Sequence, residues 1–267
     1  MSARGAGSIR FDRIAARYDE TRGGLDRGRH LVPALAPHLV PGPVLDIGVG
    51  TGAIALPVTE HGHPVVGVDL SLPMLRQAQA RLGPRVVAAD GYHLPVPDGA
   101  VPNVLVVWVL QLVPDVGGLL AEAARVVAPG GRVVVVPAGG QWDPDPIGDI
   151  FMSVAEQLRP ARDRPRHILA AAPGAGLALV TRSASAPQDE SQSPEEVARL
   201  FEGRVWSMLW DVPDDRWAAV VEPAIAALRA LPEPDRPRRR RSHHDIVVLA
   251  PVGPVGSRAR PRQTLRR

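Results

Sequence analysis

Short apolar runs without helical period recur along this chain: Val44, Leu45 and Ile47, then Pro64 to Val68, Arg85 to Ala89, Val104 to Leu110, Val127 to Val136, Leu177 to Val180 and Ile246 to Ala250. Runs of this length and branched content read as strands covered on both faces. Apolar residues at helical spacing lie between the earlier ones. Leu31, Leu35 and Leu39 mark one face of a helix from Leu25 to Leu39, which Pro41-Gly42-Pro43 stops. A second helix is predicted from Thr51 to Glu60 with Thr51 as its cap, and a third carries Leu72, Leu75, Ala78, Gln79 and Leu82 behind Ser71 as N-cap. Alternating strands and helices predict an α/β fold with a parallel sheet buried by helices.

Outside this alternation the pattern changes. Phe11, Ile14, Ala15 and Tyr18 give residues 8 to 20 an amphipathic helical face. Residues 141 to 173 are rich in Pro, Asp and Arg, with a helix predicted from Ile147 to Leu158, and Ser193-Pro194-Glu195-Glu196 is a helix start with proline in the first turn. Trp206 and Trp210 place two of the five tryptophans within five residues. They read as a substrate-facing cover or as a packing helix.

Composition narrows the class. A chain of 267 residues, 45% hydrophobic, can bury one large core. It has no cysteine, which removes disulfides, thiolate nucleophiles and cysteine-ligated zinc. No apolar run has the length of a membrane span or an N-terminal signal segment, so a cytoplasmic protein is expected. Residues 236 to 267 hold ten arginines against Asp245, net +9, leaving −6 for the rest of a chain whose total is +3. The basic end reads either as a nucleic-acid or anionic-surface contact, or as a solvated loop at Arg236 to Arg241 followed by a frayed, disordered tail. Aromatic residues that could stack on bases are missing there, which favours the second reading.

The candidate chemistry sits at Asp46-Ile47-Gly48-Val49-Gly50-Thr51-Gly52, where a strand runs into three glycines at alternate positions. Glycine adopts positive φ without steric cost and lets a ligand approach the backbone. Gly52 follows Gly50 by two positions, where a dinucleotide fingerprint needs three. A P-loop requires a lysine, and all 31 basic residues of this chain are arginine.

This stretch resembles motif I of the class I S-adenosylmethionine-dependent methyltransferases. Pro64 to Asp69 resembles the second strand ending in its ribose-binding acid, Arg85 to Asp90 the third with its adenine-contacting acid, and Val127 to Val136 the turn into the fifth. The resemblance covers residues 10 to 137 with specific motifs and the remainder thinly. It implies a Rossmann-like, mostly parallel seven-stranded sheet with helices on both faces, an antiparallel last strand at Asp245 to Ala250, an N-terminal helical cap and an insertion after the fifth strand. It also implies a single domain over residues 1 to 251, in which 1 to 40 form the cap, 141 to 173 and 194 to 231 cover the substrate, and a basic tail follows from 252 to 267.

The implied cofactor is S-adenosylmethionine, held by Tyr18, Asp46, Gly48, Gly50, Thr51, Gly52, Asp69, Leu70, Asp90, Gly91 and Trp108, with Gln111, Trp206 and Trp210 lining the substrate. The chain departs from the family at Pro102-Asn103, where relatives carry Phe-Asp, and at Trp108 and Gln111, where they often carry histidine. The implied reaction is in-line displacement at the sulfonium methyl, which needs no metal and is driven by positioning and exclusion of water.

A general base is required only for an acceptor that is not already ionised. His30, His93, His243 and His244 are available, yet none gains a carboxylate partner from spacing, and consecutive His243 and His244 on a strand would point to opposite faces. No catalytic residue is assigned. A small-molecule acceptor is expected; an RNA acceptor using the arginine tail and a fold that binds the cofactor without transferring methyl are the alternatives. Nothing in the sequence addresses oligomeric state.

Overall fold

The structure is a computed structural model, and it describes residues 11–12, 15, 18–158 and 163–253. A seven-stranded sheet is its frame, with β1 (Val44–Ile47), β2 (Val65–Asp69), β3 (Val86–Ala88), β4 (Val101–Val107), β5 (Val127–Val136), β7 (Leu177–Ala184) and β10 (Asp245–Pro251). The spatial order is β3-β2-β1-β4-β5-β10-β7, parallel from β3 to β5, with β10 antiparallel to both of its neighbours. This is the expected Rossmann-like arrangement with an antiparallel last strand.

Side chains alternate across a strand, and that alternation divides the interior in two. Leu45, Ile47, Val104, Val106, Val133 and Val135 face α5 (Val116–Val126) and α7 (Pro165–Ala171). Their neighbours Val44, Leu105, Val107, Val134 and Val136 face α2 (Gly24–Leu35), α3 (Ala55–Glu60) and α4 (Leu72–Leu82). α1 (Tyr18–Arg22) precedes α2 directly. A third apolar cluster is made by α6 (Pro146–Leu158), α8 (Pro194–Glu202) and α9 (Glu222–Arg229) with Leu209 between them. The start of α8 is a full capping box, in which Ser193 and Glu196 exchange side-chain and backbone hydrogen bonds.

Several local expectations are corrected. Leu25 to Leu39 is α2 ending at Leu35 and a 3₁₀ turn, Ala36–His38. β4 begins at Val101 and ends at Val107, so Trp108 to Leu110 lie beyond the strand. The helix placed at Thr51 starts at Ala55 with Ile54 at its N-cap, a side chain with no acceptor, and the Thr51 hydroxyl is engaged with Asp19 instead.

Arg236 to Arg241, read as a solvated loop, enters a strand, β9 (Arg238–His243), in a second, antiparallel sheet between β6 (Gln141–Trp142) and β8 (Gln188–Gln192). Arg240 is buried there. Its Nε lies 3.2 Å from both Asp145 carboxylate oxygens, its Nη1 donates to Gln192 at 2.9 Å, and its guanidinium covers the Trp142 ring at 4.3 Å. Arg239 and Arg241 both reach Asp189. Most of that charge run is therefore neutralised within the fold.

Asn103 accounts for one departure from the family pattern. It is fully buried, its Nδ2 donates to the carbonyls of Val40 and Pro43, and its Oδ1 accepts from Val40 N–H at 2.9 Å. A carboxylate would supply the acceptor and neither donor.

Candidate functional site

The C-terminal ends of β1 to β4 gather at one edge of the sheet, where an open α/β sheet offers a crevice. The glycine loop leaves β1 with Gly48, Gly50 and Gly52 at φ of 78°, 55° and 79°. Two of these glycines are required for different reasons. A Cβ on Gly48 would lie 2.4 Å from Val109 Cγ2, whereas a Cβ on Gly50 would meet nothing closer than Gly48 O at 4.0 Å. Gly50 leaves an open side on the loop, the space a ligand needs against bare backbone.

Asp69 ties this loop to β2. Gly50 N–H donates to its Oδ2 at 2.9 Å and Ser71 N–H to its Oδ1 at 2.8 Å. Burial pushes the carboxyl pKa up, while the amides of Ser71, Gly50 and Leu70 oppose the rise. Asp46, one strand position inside the loop, is more deeply buried. Its pKa is pushed up to about 7 by burial and by the neighbouring Asp69 charge. Leu70 follows Asp69 with 47% of its surface exposed, an apolar face beside the acid.

After β3, Asp90 Oδ1 accepts from Tyr92 N–H at 3.0 Å and its Oδ2 lies 3.7 Å from His93 Nδ1, with its side chain 40% exposed. Gly91 packs so close to Ile47 and Leu119, 3.1 and 3.2 Å from a Cβ, that its role is to seat this loop on the β1 layer.

Thr51 is buried and fully engaged. Its hydroxyl donates to Asp19 Oδ1 at 2.7 Å, and Arg81 Nη1 donates to its carbonyl and hydroxyl oxygens at 2.9 and 3.1 Å while Nη2 pairs with Asp19. Asp12 accepts from the Ser71 hydroxyl at 2.6 Å, so the N-terminal segment is clasped to both the β1 and the β2 ends. Gly28 of α2 lies against the same loop, since a Cβ there would sit 2.1 Å from Ala53 O. Asp12, Asp19 and Arg81 were not legible as site residues. Their partners lie 30 to 62 residues away in sequence.

At the β4 end Trp108 has a positive φ of 56°, a backbone strain for a bulky residue, and is held by its N–H to Val136 O at 2.9 Å. Its ring lies 4.0 Å beneath the Arg27 guanidinium and 5.2 Å from the His244 ring. Gln111 turns back to the Trp108 carbonyl at 3.4 Å. Tyr18 is half-buried, 6.0 Å edge-on from Phe11 and 5.8 Å from the Arg27 guanidinium.

The two tryptophans after α8 separate in role. Trp206 packs on Phe151 and Phe201, at 4.9 and 5.1 Å, in the third apolar cluster. Trp210 stands edge-on to Phe11 at 5.3 Å, joining the insertion to the N-terminal segment. Ile14 and residues 254–267 of the basic tail lie outside the described residues. Among the described residues no group of three or more histidines and carboxylates is placed to hold a metal ion, and no helix is long and apolar enough to cross a membrane.

Comparison with known proteins agrees with this geometry. Residues 45–135 match the family model described as a methyltransferase domain. The chain is 39% identical over 150 residues to a demethylmenaquinone methyltransferase of Thermus thermophilus, covering 52% of this chain and 66% of that protein, a little under two thirds of the relative's length. It is 32% identical over 232 residues to the demethylmenaquinone methyltransferase of Mycolicibacterium paratuberculosis, covering 85% of this chain and 93% of the relative. Among solved structures the [4+2]-cyclase SpnF superposes with a TM-score of 0.55 at 20% identity over 92% of this chain and 95% of that one, a likeness of fold.

Proposed function

The chain belongs to the class I S-adenosylmethionine-dependent methyltransferases, and we propose that it moves the cofactor's methyl group to a small-molecule acceptor. The observation that carries this is the join between Gly50 and Asp69, which sets a bare backbone turn beside a half-buried carboxylate at the ends of β1 and β2. The residues present fit the cofactor. The open side of Gly50 accommodates its methionine portion, Asp69 and Asp90 offer carboxylate oxygens to ribose and adenine, and exposed Leu70 supplies an apolar face.

Bound there, the cofactor supplies an already activated sulfonium methyl. The protein's part is to orient and to exclude water. Asp19, Thr51 and Arg81 hold the N-terminal cap on the glycine loop, and Trp108 projects from the β4 end beside the reacting face.

The same proposal includes the division of labour expected from the sequence: residues 1 to 40 as cap, 141 to 173 and 194 to 231 as substrate cover, and a cytoplasmic location. The contact of Trp210 with Phe11 supports a cover that meets the cap, and the packing of Trp206 in the apolar cluster makes it the anchor of that cover. The internal pairing of Arg239, Arg240 and Arg241 weakens an RNA acceptor.

The test has two parts. Calorimetry should give binding of S-adenosylmethionine and S-adenosylhomocysteine and none of NAD. A screen of phenolic and quinol acceptors by mass spectrometry should show a gain of one methyl with equimolar S-adenosylhomocysteine. Cofactor binding without any turnover across the panel would leave a binding protein in place of a transferase.

A further inference from the structure

Two half-buried arginines, each with its Nε shut off from solvent, pair with no carboxylate among the described residues. Arg22 ends α1; its Nη2 donates to Val205 O at 3.1 Å and its Nε is buried without a partner. Arg27, in the next helix, has a buried Nε without a partner and rests its guanidinium on the Trp108 ring. Every Asp and Glu of the chain is among the described residues, and none of them pairs with either arginine. Burial pushes the Arg22 pKa down, opposed by the Tyr18 phenol and furthered by the Arg27 charge. Withdrawing a cation even partly from water is costly unless an opposite charge or hydrogen-bond acceptor completes it.

Two more orphan atoms stand in the same group. Trp108 Nε1 and His244 Nδ1 are buried without partners, their rings 5.2 Å apart. The four residues come from α1, α2, the turn after β4 and the link between β9 and β10. Asp69 ends β2 and Asp90 follows β3, both on the other side of β1. The cluster therefore stands at the β4 edge of the crevice, where an acceptor would meet the methyl.

We propose that Arg22 and Arg27 bind an anionic oxygen of the acceptor, a carboxylate, phenolate or enolate, with the Trp108 and His244 rings lining its apolar part. This rests on the methyl-transfer reading and names its substrate class. Arginine donors favour the ionised form of an acidic hydroxyl, and an acceptor that binds already ionised needs no general base. His244 is not such a base while burial, and then the Arg27 charge, hold its pKa at about 4. Where the ionised oxygen is itself the nucleophile, its lone pair forms the new O–CH₃ bond as the S–CH₃ bond breaks, and the negative and sulfonium charges cancel with no proton to move.

Calorimetry on the full chain saturated with S-adenosylhomocysteine tests this with 1-naphthoate and its neutral isostere 1-naphthamide. The wild type should prefer the anion by about tenfold or more, and Arg22→Met and Arg27→Met should each remove most of that preference while S-adenosylhomocysteine affinity stays within about threefold. Arg27→Met should also raise Tm, since it removes a half-buried charge that no carboxylate pairs; a purely structural arginine would lower it. Equal binding of the two probes, or a preference that survives both substitutions, overturns the proposal. So does a loss of S-adenosylhomocysteine affinity in both variants with 5′-methylthioadenosine unaffected, which would give the arginines to the cofactor's own carboxylate. Failure of the wild type to bind S-adenosylhomocysteine would instead sink the methyl-transfer reading.

Discussion

Gly50 N–H donates to Asp69 Oδ2 at 2.9 Å, so the turn after β1 and the acid ending β2 are one unit. Asp69→Ala should weaken S-adenosylmethionine binding by roughly 10- to 100-fold, the equivalent of one charged hydrogen-bonding group. Asp69→Asn should fall between, because its single oxygen can satisfy Gly50 or Ser71 and not both. Titration calorimetry reads this, and unchanged affinity in Asp69→Ala would remove the acid from the site.

Strain and crowding can be separated at two glycines. Gly62 has φ +90° with nothing within 4 Å of a Cβ, while Gly48 has φ +78° and Val109 at 2.4 Å. Gly62→Ala should cost about 1 kcal/mol from backbone conformation alone. Gly48→Ala should cost about 2–4 kcal/mol, because Val109 must move as well. Urea midpoints of the two variants decide it; equal losses would show that the Val109 contact is soft.

Asp19 couples the cap to the glycine loop through Thr51 and Arg81. In Asp19→Asn the cap loses an ionic tie, so S-adenosylmethionine should dissociate several-fold faster, with a Tm within a few degrees of wild type. Stopped-flow displacement measures the rate. A large fall in Tm with unchanged dissociation would make Asp19 a stability residue.

Two titrating groups, one buried and one half-buried, act on stability in opposite directions. Asp46 has its folded pKa raised to about 7 from an ordinary value near 3.9, so the folded state holds the extra proton between them and stability falls as pH rises through that window. His244 is depressed to about 4 from about 6.5 by burial and then Arg27, so the unfolded state holds the extra proton and stability falls as pH drops. Relative to wild type, Asp46→Asn should gain stability with pH by ~1 kcal/mol per unit between about 4 and 7. His244→Phe should show the reverse trend between about 4 and 6.5. Urea denaturation across that range tests both signs, and parallel curves for all three proteins would refute the burial argument.

What the sequence determined by itself was written in neighbours. The strand runs, the three glycines, the Ser71 cap and the Ser193 helix start depend on residues a few positions apart, whose periodicity and turn chemistry act locally. Asp69 and Asp90 were legible for the same reason, as the last residues of their runs. The tertiary structure decided what depends on distant partners. Thr51 looks like a helix cap until Asp19 takes its hydroxyl, and Arg238 to Arg241 look like solvated charge until Asp145 and Asp189 lie opposite them. Arg22 and Arg27 carry no mark along the sequence, and only packing against Val205 and Trp108 made them a half-buried pair of cations. Hydrogen bonds and ion pairs between residues some 30 to 180 positions apart leave no periodic trace along the chain, because the energy that selects them exists only once the backbone has brought both partners together.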